Sequence, residues 1–134
     1  MARAYGYDAQ LLMKRETTYA TDPTGNYDKM PFISCEYIAA DQPHIEDDQL
    51  NTGRGPKAPA EDVQRVQFSL VIPLDVRNLG KWLRQVFGAP TTTGTNPYTH
   101  TFVSGTALSE SCSIEVGLSQ VPAYYMKRGC KANT

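Results

Sequence analysis

Residues 75–90, Asp75-Val-Arg-Asn-Leu-Gly-Lys-Trp-Leu-Arg-Gln-Val-Phe-Gly-Ala-Pro90, are the one stretch that declares itself a helix, and strand-like segments surround it. Val76, Leu79, Leu83, Val86 and Phe87 fall on one side at helical spacing, with Trp82 beside them. Asp75 is placed to cap the N-terminus, Gly88 to occupy the residue after the C-cap, and Pro90 to stop any continuation. The pattern predicts a helix over about 76–87. In a β-rich chain such a helix must lay its apolar stripe on a sheet or on a neighbouring molecule. That need points to a building block more than to a catalyst.

A chain of 134 residues fits one domain and can bury a core. The net charge of −1 argues against a general phosphate-binding surface. There is no apolar run long enough to cross a bilayer, and Met1 to Tyr7 lack the apolar core of a signal peptide. A chain made and kept in a cytoplasm, without a membrane partner, is the expectation. Cys35, Cys112 and Cys130 form no Cys-x-x-Cys pair. They read as three free thiols used as small hydrophobes, or as one disulfide and one free thiol.

Along the chain, residues 1–30 carry Tyr5, Tyr7, Tyr19 and Tyr27 in a segment of weak periodicity, with a short strand at Gln10 to Lys14 and turn chemistry at Thr21 to Asn26. This N-terminal arm needs a surface for its aromatics, either the chain's own core or a neighbouring subunit. Residues 31–39 read as a strand. Residues 40–62 follow neither period and read as a long loop, a feature that tends to be functional or disordered. In 63–74, Val66, Phe68, Leu70 and Ile72 alternate with Gln67 and Ser69, as in an antiparallel strand with one solvated face. Thr91 to Pro97 reads as a polar connector. Further strands are expected at Tyr98 to Val103, at Ser111 to Gly117 with Cys112, Ile114 and Val116 on one face, and at Tyr124 to Cys130.

Reaction chemistry finds no footing. His44 precedes Glu46, Asp47 and Asp48, but the spacing matches no metal site and fits a solvated acidic loop. His100 lies in a strand among Thr and Tyr, where a hydrogen-bonded structural role is expected. No nucleophile elbow exists, and no Gly-rich phosphate cradle precedes the helix. No cofactor or metal is expected, and no enzymatic activity. On the helix, Arg77, Lys81 and Arg84 make one basic outer stripe. It reads as a solvated face, or as a contact with an acidic patch such as Glu46, Asp47 and Asp48 on another copy.

Four stretches in order resemble the tail tube proteins of long-tailed bacteriophages and related prophage elements. They are Met13-Lys-Arg-Glu-Thr-Thr-Tyr-Ala-Thr21 leading into a Gly turn, the helix segment Asp75 to Pro90, Tyr98-Thr-His-Thr-Phe-Val-Ser-Gly105, and Ser113-Ile-Glu-Val-Gly117 followed by Tyr125 and Gly129-Cys-Lys-Ala-Asn133. Each is weak alone, but together they span nearly the whole chain. The resemblance implies a mainly β, antiparallel sandwich or barrel-like fold with one packed helix. It also implies copies that form rings, usually of six, and rings that stack into the conduit for DNA.

The partners implied are identical subunits within and between rings, other tail proteins, and DNA passing through the lumen. The place implied is the virion tail, assembled in the host cytoplasm. Family members are often longer, and residues 129–133 read as the lead-in to a further strand. The chain is therefore expected to be a single tail tube domain over 1–134 that corresponds to the N-terminal half of such a protein or to a short variant. Glu46, Asp47, Asp48, Arg54 and Lys57 are the expected contacts between rings, with Tyr5, Tyr7 and Tyr19 second and Arg77, Lys81 and Arg84 as charged contacts. Gln67 and Ser69 are the lumen candidates. Two other readings are a tail terminator or hub of the same fold, and a monomeric ligand-binding β-sandwich.

Overall fold

The computed structural model describes residues 5–37, 41–46, 58–105 and 110–132. The chain divides into two compact units, Met1–Pro31 with Pro73–Thr134, and Phe32–Ile72.

The first unit is built on a four-stranded antiparallel sheet. Its strands are β1 (Ala9–Arg15), β2 (Asp28–Met30), β9 (Cys112–Leu118) and β10 (Ala123–Cys130), in the order β10-β9-β1-β2. A short 3-10 turn, Gly6–Asp8, leads into β1. Leu11 lies opposite both Met30 and Val116, and Met13 opposite Ile114. Paired residues share a face, so the alternation of Leu11 and Met13 in β1 builds a continuous apolar surface with its neighbours. Among the described residues, Leu11, Met13, Met30, Cys112 and Ile114 are the buried hydrophobic ones, all in this unit. Burying a side chain of this size stabilises by roughly 1.5–3 kcal/mol. The apolar core thus lies on one face of the sheet, while Glu16, Ser111 and Ser113 are buried on the other.

Helix α1 (Val76–Phe87) forms where the periodicity predicts it. The Asp75 carboxylate accepts the Arg77 backbone N–H at 3.1 Å and the Asn78 side-chain amide at 2.6 Å, which satisfies an otherwise unpaired N-terminal donor. Gly88, at φ +86°, closes the other end with its N–H on the Arg84 carbonyl at 2.9 Å.

The expected apolar stripe is covered only in part: Leu79, Trp82, Leu83 and Phe87 are half-buried. Val76 is 92% exposed and Val86 40% exposed, whereas Gln85 is buried at 7%. Lys81 Nζ reaches Asp28 at 2.8 Å, and Arg84 grips Glu110, so the flank carrying Lys81, Arg84 and Gln85 faces the sheet. The helix thus shelters parts of both flanks and leaves Val76 and Val86 of the apolar stripe exposed. Of the expected basic stripe, Arg77 is exposed, Lys81 makes an exposed ion pair with Asp28, and Arg84 a half-sheltered one with Glu110.

The connector after the helix is itself a hairpin, β7 (Thr91–Thr93) with β8 (Thr99–Thr101). Gly94 sits at φ +85° in its turn, and the Asn96–Pro97 bond is cis. Thr92 Oγ1 lies 2.8 Å from His100 Nδ1, so His100 takes the hydrogen-bonded role expected of it.

In the second unit, β3 (Ser34–Tyr37) pairs with β6 (Phe68–Val71), and β4 (His44–Ile45) with β5 (Ala60–Glu61). Phe68 and Leu70 are half-buried and Ser69 exposed, as the alternation predicts, although the strand is shorter than 63–74. An isolated bridge joins Asp41 and Arg65. The base of the expected long loop is therefore a two-stranded ladder, reinforced by a hydrogen bond from Gln42 Nε2 to Glu61 at 3.1 Å. Across the described residues the protein is mainly β and antiparallel with one α-helix.

Candidate subunit interface

Three features of the first unit meet around its sheet: the two outermost strands, a buried carboxylate that ties strand ends together, and a set of exposed aromatics.

The outermost strands are β2 and β10. An outer strand presents backbone N–H and C=O groups along one side, which makes it a template for further pairing. β10 is eight residues long and carries an irregularity, because Lys127 faces Ile114 while Cys130 faces Cys112. Arg128 and Gly129 therefore both stand against Ser113. Gly129 has φ +67°, the left-handed conformation that a glycine-led β-bulge requires.

Glu16 sits beneath that bulge and is 5% exposed. Its carboxylate accepts four hydrogen bonds: from Ala20 N–H at 2.9 Å, Ser111 Oγ at 2.6 Å, Ser113 Oγ at 2.6 Å and Gly129 N–H at 2.8 Å. One side chain thus joins the turn after β1, the start of β9 and the end of β10. Burial pushes the Glu16 carboxyl up. The Gly129 N–H, the two serine hydroxyls and the Ala20 N–H outweigh it and hold the group below its ordinary value. Among the described residues this is a structural anion: each of its bonds is internal, and no titratable partner suited to proton transfer is among them.

The aromatics divide. The Tyr5 and Tyr7 rings stack at 5.4 Å between centroids and are 52% and 80% exposed. Tyr19 lies over Gly129, and Lys131 Nζ sits 5.2 Å from its ring centroid. Tyr19 therefore docks on its own chain. The Tyr27 hydroxyl donates to Asp22 and contacts Met126 Sδ at 3.7 Å. Within residues 1–30, Ala9–Arg15 form a central strand of the sheet and Asp28–Met30 an outer one.

Of the remaining expected contact residues, Arg77 is exposed on the helix, Lys81 pairs with Asp28, and Arg84 pairs with Glu110. Glu46 is exposed just after β4. Asp47, Asp48, Arg54 and Lys57 lie outside the described residues. Gln67 and Ser69 are exposed in the second unit. Reading the residues singly missed Glu16, Asp28 and Glu110. A lone glycine inside the strand pattern at 129 was the one available signal for the bulge.

The expected tail tube likeness is met by comparison with known families. The model of the phage tail tube protein family matches residues 6–134, which takes in both units and every strand described above. No curated protein matches the chain. The family is structural, with no enzymatic activity known for it. The chain belongs to the phage tail tube protein family.

Proposed function

We propose that this protein is the repeating subunit of the tail tube: copies close into rings of six, the rings stack, and the stack encloses the conduit through which DNA leaves the capsid. The observation that carries this reading is the parity of the sheet. All pairings in β10-β9-β1-β2 are antiparallel, so with four strands β10 and β2 run in opposite directions. A copy related by rotation about a ring axis brings β2 beside the neighbour's β10 in antiparallel register. The ladder then continues across the boundary without a change of rule. Closure removes both outer edges from solvent. At the usual spacing between strands, six four-stranded sheets enclose a ring about 37 Å across between backbones, and strand tilt widens it. That leaves space for a duplex inside the side chains.

In this reading the lumen is lined by the sheet face opposite the apolar core. There Lys29, Leu12, Glu115 and Met126 form one cross-strand row, each half-buried or exposed. That row, and not the exposed pair Gln67 and Ser69, is the lining proposed here. The stacked Tyr5 and Tyr7 and the 40–62 segment, with Glu46, Asp47, Asp48, Arg54 and Lys57, serve contacts between rings. Arg77 and the uncovered apolar side of the helix serve contacts between copies. Other tail proteins and the host cytoplasm complete the assembly.

Sedimentation over a concentration series, followed by negative-stain imaging, tests the reading. Rings or tubes are expected. A chain that remains monomeric at high concentration, with no ring in the images, would overturn it.

A further inference from the structure

Cys112 and Cys130 lie directly opposite each other on neighbouring antiparallel strands. The bulge is what puts them there. From Ala123 to Lys127 the register of β10 on β9 is constant, and continuing it would place Cys130 opposite Ser111, on the sheet face shared by Met126 and Glu115. The extra residue at Gly129 shifts the register by one and turns Cys130 to the face of Cys112. Opposed residues in an antiparallel pair have Cα atoms about 4.5 or 5.5 Å apart, and both values fall within the range a disulfide spans. Sulfur contacts agree with this placement: Cys112 Sγ lies 3.7 Å from the Cys130 carbonyl. Both residues are thiols here, and the third thiol, Cys35, belongs to the other compact unit.

We propose that Cys112 and Cys130 are a redox-modifiable pair that closes into an inter-strand disulfide when the protein meets a low-molecular-weight disulfide such as oxidised glutathione. The less buried Cys130 attacks first as its thiolate. It forms a mixed disulfide and expels one glutathione thiolate. Cys112, as thiolate, then attacks the Cys130 sulfur and expels the second. One glutathione disulfide is reduced to two thiols, the two protein thiols are oxidised to one disulfide, and their protons end on the released glutathione. The product fastens the outer strand β10 to β9 at the point where its register shifts. Burial pushes the Cys112 thiol up to about 12 and the Cys130 thiol up to about 11, so the pair is slow to react at neutral pH. A tail component outside a cell, in oxidising surroundings and for long periods, is the setting in which a slow closure is completed.

The test is a thiol map of the full chain. The purified protein is incubated with oxidised glutathione at pH 7 and at pH 9, quenched in acid, unfolded, alkylated and weighed. Two uptakes of alkylating reagent should be lost together, faster at pH 9. Peptide mapping should give a Cys112–Cys130 link with Cys35 alkylated. Cys130→Ser should leave Cys112 unlinked, and Cys35→Ser should change nothing in the link. Three alkylated cysteines after prolonged oxidation, a link to Cys35, or a disulfide between chains would each overturn the proposal. The readout is taken from the wild-type chain, so it stands even where a serine variant fails to fold, and it is independent of tube formation.

Discussion

Glu110 takes both forks of the Arg84 guanidinium, Nε on Oε2 at 2.6 Å and Nη2 on Oε1 at 2.7 Å, and so holds the last turn of helix α1 to the segment that enters β9. Arg15, at the end of β1, approaches the same carboxylate at 3.6 Å. The hydrogen bonds from Arg84 hold the Glu110 carboxyl below its ordinary value, and Glu110 raises Arg84 in return. The contact is half-sheltered, which puts it above a surface ion pair and below a buried one.

Replacing Glu110 by Gln removes the charge and one acceptor. We expect a loss of about 1 to 2 kcal/mol in stability, read as a lower urea midpoint. Arg84→Lys should recover little of what Arg84→Ala loses, because an ammonium cannot engage both oxygens at once. A lysine variant as stable as wild type would show that the fork geometry is unimportant.

Glu16 is the more severe site. Glu16→Ala leaves two hydroxyls and two backbone N–H groups without their acceptor, and should cost about 3 kcal/mol or more. Its pKa in the folded state is depressed, so its contribution is complete above the ordinary value of 4.5 and is lost as pH falls through the lower, folded value. Glu110, also depressed, acts in the same window and with the same sign. Denaturation at stepwise lower pH should therefore show the gap between wild type and Glu16→Gln narrowing in acid. A gap independent of pH would contradict this linkage.

At the bulge, Gly129→Ala should cost about 1 to 2 kcal/mol through the left-handed backbone alone. An added Cβ would also meet the Tyr19 ring at 3.1 Å. Because Tyr19 is 65% exposed, its ring can move aside. The penalty should thus persist in a Tyr19→Ala background, measured by thermal unfolding of the double variant. Full relief there would assign the cost to the ring.

Gln85 is buried, and among the described residues its Oε1 has no hydrogen-bond partner. Gln85→Met, close in length and without the orphaned oxygen, should stabilise the isolated chain by about 1 kcal/mol. An unchanged or lower unfolding midpoint would show that the amide is satisfied in solution.

The helix was legible because twelve residues with a cap at each end carry enough turns for a period to emerge. The longer strands β1, β9 and β10 were legible for the same reason. The three-residue strands β2 and β7 were not, since so short a segment shows no alternation and Thr91 to Thr93 looks like any polar connector. Arg77, Lys81 and Arg84 illustrate a second limit. Their shared flank was visible, but its partners Asp28 and Glu110 lie far away in sequence, and nothing local to the helix announces them. Of the candidate contacts, Tyr5, Tyr7 and Tyr19 are all exposed, and Tyr19 also lies over Gly129 of its own chain.

What the chain by itself determined is local. Apolar spacing decides helix or strand, Asp75 and Gly88 decide where the helix begins and ends, and the succession of motifs identifies the family. Tertiary structure alone decided which helix flank faces the sheet, why Glu16 carries a charge in a buried place, and that Cys130 stands against Cys112. The physical reason is common to all three. Each depends on register between segments separated by many residues: a one-residue shift at Gly129 reverses which face a side chain occupies, and the glycine that hints at a bulge does not say which residue Cys130 will then oppose.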